Sequence, residues 1–320
     1  MTTITPPAPA TAADAARPAR RTTRGRRWAW APYLLIAPAV GILLVALAYP
    51  VGWQFLTSFK EFGLAQQFGA EAEFTGIDNY IKIVTTSETW LVVVRSVAFC
   101  LVNAFLTVAV GTGLALLMNA VPKAVRLILQ ICLLLAWAMP VVAVMTVWNW
   151  LFDWNHGTVN WLAIQLGAEQ YWHHNWLESP LSFYAVATVI IVWMSVPFVA
   201  FSVYAGLTQV SGEVLEAAQL DGANWWQRFT RVIMPLVRPV LMIVLLLQII
   251  WDLRVFTQIR MLQDRGSFPN QTDLLGTYIY REGVGANQFG MAAAMSVFVL
   301  IITVIAAWPY VRSLIKQEAI

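Results

Sequence analysis

Six apolar runs alternate with polar stretches along the chain, at roughly residues 31–59, 91–119, 127–151, 181–207, 235–257 and 289–311. About 20 apolar residues, rising 1.5 Å each in a helix, cross a hydrocarbon core of about 30 Å, so each run predicts a membrane-spanning helix. The first, third, fourth and sixth runs contain no Asp, Glu, Lys or Arg. Three of the stretches between them, 60–90, 152–180 and 258–288, are longer than a turn requires. Their mixed patterning predicts short interfacial helices rather than a soluble domain, and 152–180 is dense in Trp. Residues 1–27, rich in Ala, Pro, Thr and Arg, read as a disordered basic tail. The apolar run after that tail is longer than a secretory signal needs, which leaves 28–320 as the membrane domain.

Composition supports lipid as the solvent. Of 320 residues 59% are hydrophobic and 12% charged, about half the charge of an ordinary soluble chain. A soluble fold of this length has too little interior for that much apolar surface. A typical cytosolic enzyme, a disulfide scaffold and a disordered chain are all disfavoured. Cys100 and Cys132 fall inside apolar runs and read as packed side chains.

Net charge is only +3, which suggests no nucleic-acid partner, but its placement is informative. Six spans put both termini on one side, with the 120–126 and 208–234 loops. That side holds Arg17, Arg20, Arg21, Arg24, Arg26, Arg27, Lys123, Arg126, Arg228, Arg231, Arg238, Arg312 and Lys316; the other holds Lys60, Lys82, Arg95, Arg254, Arg260, Arg265 and Arg281. The excess of cations predicts that both termini are cytoplasmic. The tail's arginines would then lie against anionic lipid headgroups.

The 208–234 loop carries the densest pattern. Ser211 is placed as an N-cap, and Val214, Leu215, Ala217 and Ala218 form an apolar patch on a short helix. Asp221-Gly222 signals a turn in which glycine takes a positive φ. A second helix over 223–233 presents Trp225, Trp226, Phe229 and Ile233, and Pro235 and Pro239 open the fifth span. This helix–turn–helix at a membrane surface is suited to docking on another protein.

The spacing Glu216-Ala217-Ala218, three residues, Gly222, ten residues, Ile233-Met234-Pro235 resembles the EAA loop of permease subunits in binding-protein-dependent ABC importers. Asp221-Gly222-Ala223, Phe229 and Pro239 are similar to the maltose-type carbohydrate permeases. So are Phe256-Thr257, Gly276-Thr277-Tyr278 and Phe289-Gly290-Met291-Ala292-Ala293-Ala294. Met234 replaces the usual Leu, and Gly266-Ser267-Phe268-Pro269-Asn270-Gln271-Thr272 replaces a common Gly-Gly-Pro and Thr.

The resemblance implies an all-α polytopic protein of six transmembrane helices, with the type I ABC importer permease fold, in the bacterial cytoplasmic membrane. It implies a second homologous permease subunit, two cytoplasmic ATPase subunits and an extracellular or periplasmic solute-binding protein. The loop would be the coupling segment: Glu216 would contact the ATPase, Ala217 and Ala218 allow close approach, and Gly222 set the bend. Asp221, Ala223, Phe229 and Pro235 complete the matched motif. ATP and Mg would be held by the ATPase subunits, with no cofactor, metal or catalytic residue in this chain. Lys60, Lys82, Lys123 and Lys316 follow Phe, Ile, Pro and Ile, so no Gly-Lys-Ser/Thr phosphate loop is present.

Ionisable groups in hydrocarbon are costly and often functional. Asp252 and Arg254 lie near the far end of the fifth span and Arg95 near that of the second, where Arg95 and Asp252 could pair across the bundle. Sugars are held by amide and carboxylate side chains and by stacking on aromatic rings. Candidates for the substrate pathway are therefore Asn103, Trp148, Asn149, Trp193, Gln248, Asp252, Arg254 and Gln258. The tryptophans read more readily as an interfacial belt or packed core, and Asn103 and Gln248 as interhelical hydrogen bonds. His173-His174 lacks metal-ligand spacing and reads as a surface or docking feature. An importer of polyamines, phosphate or amino acids shares the loop spacing and stays open. A membrane transferase would need a clustered acid/base pair that is not visible, and an ion-coupled transporter midplane charges in both halves.

Overall fold

A computed structural model describes residues Trp30–Glu318; the tail expected over 1–27 lies outside the described residues. The chain divides into two compact units, one ending at Trp53 and one starting at Gln54. In the first, α1 (Ala31–Leu43) passes through a π-helical turn, Leu44–Ala48, into α2 (Tyr49–Thr57). Every residue from Tyr33 to Trp53 is exposed, and a helix apolar on all sides suits lipid rather than water.

The second unit starts with a small hairpin. β1 (Lys60–Glu61) pairs antiparallel with β2 (Glu73–Phe74), Lys60 opposite Phe74, with α3 (Leu64–Gln67) between them. In α4 (Asp78–Thr85) the buried Asn79 amide donates to the carbonyls of Ser58 at 3.0 Å and Lys60 at 3.1 Å, tying that helix to the hairpin. Then come the long α5 (Ser87–Ala120), α6 (Lys123–Ala138) and α7 (Val141–Leu151), α8 (Thr158–Gln165) and α9 (Pro180–Leu207). The rest of the chain forms α10 (Gly212–Leu220), α11 (Trp225–Arg228), α12 (Met234–Leu253), α13 (Thr257–Gln263), α14 (Pro269–Thr272), α15 (Leu275–Tyr280) and α16 (Phe289–Glu318).

The core runs along the α5–α9–α12 contact. At one end Phe99, Met145, Phe183, Ile190, Ile259 and Leu262 pack together; towards the other end of α9, Ala115, Val199, Val203, Val237 and Val244 do so. Gly111 lets the α5 and α9 backbones approach: a Cβ there would lie 2.6 Å from Val199 Cβ and 3.2 Å from Ala200 N. Small residues at such contacts are how membrane helices gain van der Waals packing without a hydrophobic driving force. Arg126 closes the same end. Its guanidinium donates to the carbonyls of Met118 (2.7 Å) and Val121 (3.2 Å) and to the Tyr204 hydroxyl (3.1 Å), satisfying carbonyls left open at the α5 C-terminus.

Two sequence expectations are corrected. The run 127–151 is not one straight span: α6 and α7 meet at 100° across Met139-Pro140. Pro140 has no N–H to continue the ladder and disfavours helical geometry at Met139. Among the described residues five helices are long and apolar enough to cross a membrane, and counting the bent pair as one span gives six. Second, no break separates the helix expected at 223–233 from the fifth span. α11 continues through a π-helical turn, Phe229–Ile233, straight into α12. The wider π turn just before Pro235 accommodates a residue that cannot donate, and the helix continues past Pro239 as well.

Candidate functional site

The segment after α9 is built by local caps. Ser211 precedes α10 with extended dihedrals, as expected, but its side chain makes no capping hydrogen bond. At the other end Gly222 adopts φ +80°. Its N–H reaches Gln219 O and the Ala223 N–H reaches Ala218 O, both at 3.0 Å. These are the paired bonds of a Schellman termination, which requires a residue tolerant of positive φ. Asn224 then starts α11 with a reciprocal box: its side-chain oxygen accepts from Gln227 N and Gln227 Oε1 accepts from Asn224 N, each at 2.9 Å. Trp225 stacks on Phe229 with ring centres 5.7 Å apart.

None of the nine residues of α10 is buried. Glu216, Ala217, Asp221 and Gly222 are exposed, Ala218, Ala223 and Phe229 half-buried, and Pro235 exposed at the head of α12. The structure therefore brings the motif residues of 216–223 onto one short helix and its closing turn, held between the ends of α9 and α11.

The substrate-pathway candidates separate into groups. Asn103, Asn149, Gln248 and Asp252 are buried. Gln248 Nε2 donates to Asp252 Oδ1 at 3.1 Å, and Asn103 Nδ2 donates to Phe99 O at 2.7 Å. The remaining oxygens, Asn103 Oδ1, Asn149 Oδ1, Gln248 Oε1 and Asp252 Oδ2, have no protein donor, and each costs about 1–3 kcal/mol while it stays so. Asp252, Arg254 and Gln258 line a cavity of about 370 Å³ together with Ser195, Trp251 and Thr257. Trp148 and Trp193 meet edge-to-face, 5.9 Å between centres. The pairing of Arg95 with Asp252 does not form. Arg95 donates instead to Asn270 O at 3.1 Å, while Asp252 turns to Gln248 on its own helix.

One cluster has no counterpart in the sequence reading. Arg281 pairs with Glu88 from α5 and lies 3.1 Å from Asp273, which is 1% exposed. Gln263 Nε2 also donates to Asp273 at 3.0 Å. Burial pushes the Asp273 carboxyl above the usual carboxylate range, against the pull of Gln263 and Arg281. Its members come from positions as far apart as 88 and 281, with no local pattern to announce them.

Residues 107–312 match the family described as "Binding-protein-dependent transport system inner membrane component". The chain belongs to this family. It is an integral protein of the bacterial cytoplasmic membrane. Over 93% of its length it is 41% identical to the diacetylchitobiose uptake system permease protein DasB of Streptomyces coelicolor, covering 91% of that protein. It is 30% identical to the trehalose/maltose transport system permease protein MalF of Thermococcus litoralis, over 85% of this chain and 90% of that one. Its fold is that of ABC importer permeases. It superposes with a TM-score of 0.74 at 21% identity on a chain of the bacterial alginate ABC transporter in complex with an alginate pentasaccharide-bound periplasmic protein, covering 88% of this chain and 92% of that one.

Proposed function

We infer that this chain is the membrane-spanning permease subunit of an ATP-driven importer for a sugar or short oligosaccharide. The observation that carries the coupling role is α10: a helix with no fully buried residue, closed by the Gly222 turn after the end of α9, whose next helix runs unbroken into α12. An ATPase subunit gripping α10 moves two core helices at once. Glu216 supplies a polar contact, Ala217 and Ala218 close approach, and Gly222 the bend. Two ATPase subunits on the cytoplasmic side hold ATP and Mg, and a second homologous permease completes the pathway. A binding protein delivers the solute from outside. The cation distribution supports this orientation, with both termini and α10 cytoplasmic. A nucleotide-driven change in the ATPase then biases the permease between inward- and outward-facing states.

Sugar is favoured over other solutes by the uptake systems its relatives serve and by the chemistry of the cavity. Asp252, whose Oδ2 has no protein donor, lines it with Ser195, Arg254, Thr257 and Gln258, a set of groups that can bond a ligand rich in hydroxyl groups.

The test is uptake of labelled diacetylchitobiose, trehalose and maltose in a deletion strain carrying the wild-type or the Gly222→Asp gene. Nothing lies within 4 Å of a Cβ at Gly222, so the substitution strains only the +80° turn, by about 1–2 kcal/mol. The variant is expected to insert normally, lose uptake of whichever sugar the wild type accepts, and leave ATP hydrolysis uncoupled. Normal uptake by this variant would falsify the coupling role.

A further inference from the structure

The segment between α7 and α9 belongs to neither α10 nor the helix-lined cavity, yet it is closely built. Asp153 Oδ1 accepts from the backbone N–H groups of Asn155 (3.0 Å) and His156 (2.8 Å). A Cβ at Gly157 would lie 2.7 Å from Asp153 N, so only glycine fits that turn. The buried Asn160 amide donates to Trp154 O at 3.2 Å and His174 O at 2.9 Å and accepts from the Trp176 indole. One side chain thus pins both ends of the loop.

His173 sits at φ +53°, a conformation disfavoured by its Cβ and held only where the surroundings impose it. That geometry sets the imidazole 4.8 Å from Trp172 and 5.7 Å from Trp154, centre to centre. The result is a cavity of about 410 Å³ walled by Trp154, Trp161, Trp172 and His173, with Asn155 and Thr158 at its lining. Small-ligand pockets occupy the same range, about 300–1,000 Å³.

The lining contains no Lys, Arg, Asp or Glu, so it carries no fixed charge and suits a neutral ligand better than the phosphate of a lipid headgroup. The electron-rich faces of indole rings attract the C–H faces of a pyranose, and the amide and hydroxyl groups can bond its alcohols. A row of rings leads on from the loop. Tyr171 stacks on Trp176 at 5.0 Å, Trp176 meets Phe152 at 6.1 Å, Phe152 meets Trp148 at 5.9 Å, and Trp148 meets Trp193 at 5.9 Å. Trp193 lies on α9 between Ile191 and Ser195, which line the cavity of Asp252.

We propose that the 154–173 cavity is an outer subsite for a neutral saccharide, joined to the bundle by Trp176, Phe152 and Trp148, whose rings pack against its core. This rests on the sugar reading and on the outward orientation of the loop. The subsite would hold sugar released from the binding protein before the helices reorient.

The experiment uses the complete transporter in proteoliposomes with its binding protein, and diacetylchitobiose as probe. The double variant Trp161→Ala/Trp172→Ala is expected to raise the uptake KM about tenfold, the size of one lost aromatic contact, with the saturating rate unchanged. Trp161→Phe/Trp172→Phe, which keeps both rings, is expected to restore the wild-type KM and excludes a folding defect. Saturation-transfer NMR on the transporter without binding protein should show contact with the disaccharide in the wild type and lose most of it in the double Ala variant. A wild-type KM in the double Ala variant, in a transporter that imports saccharide, overturns the subsite alone. Weaker capture of the binding protein with an unchanged NMR signal assigns the cavity to protein docking and overturns it too. A wild-type transporter that imports no saccharide overturns the sugar reading itself.

Discussion

Beyond the Pro180 end of α9 the chain is locked by polar groups around the buried Asp273: the half-buried Arg281 joins it to Glu88, Gln263 holds it, and Leu275 N donates to the buried Ser96 hydroxyl at 2.8 Å. Beyond the Leu207 end, α10 has no fully buried residue and is shaped by the Gly222 turn that closes it and the Asn224 box that opens α11. The contrast separates two kinds of order. The first end is fixed by long-range contacts within the chain. The second is locally rigid but energetically unfinished, which is what a surface awaiting a partner requires.

The widest separation of the two ends should come from Arg281→Ala. Removing the half-buried guanidinium strands the buried Asp273 carboxyl and costs about 1–2 kcal/mol, expected as a lower thermal midpoint of the purified permease. ATPase coupling in molecules that remain folded should be intact. An unchanged midpoint would mean that the cluster is not a lock. Gly111→Val tests the helix contact joining the two ends. The added side chain meets Val199 and the Ala200 backbone, and overpacking of this kind costs about 2 kcal/mol. Both stability and transport should fall together.

The smallest change is Asn224→Ala, which removes a cap and costs about 1 kcal/mol locally. Here the midpoint should stay put while sugar uptake per ATP hydrolysed declines. If stability falls and coupling does not, the two ends have been assigned the wrong way round.

Much of this architecture was legible in the apolar runs, because lipid demands long uninterrupted stretches and the chain supplies them. The Asp221-Gly222 turn was legible too, since few residues other than glycine accept its φ. The bend at Pro140 was masked by apolarity: a hydropathy run does not register a change of direction, although the proline was in plain view. Pro235 misled in the opposite sense, being read as the start of a helix that in fact began at Trp225. The partners of Arg95 and Asp252 depend on helix rotation, which composition does not specify, so Arg95 meets Asn270 O instead. The Glu88–Asp273–Arg281 cluster was invisible because its members belong to separate elements brought together only by the fold.

The π turn at Phe229–Ile233 accommodates one more residue than an α-helical turn at the same place. Removing a single residue there should tighten the turn to ordinary α-helix and leave Gln248 and Asp252 facing inward. The same deletion farther along, between Leu236 and Leu247, would rotate every later side chain by roughly 100° and swing that amide and carboxylate away from the bundle interior. A scan of one-residue deletions, scored by growth on the transported sugar, should therefore find a single tolerant notch in an otherwise intolerant rod.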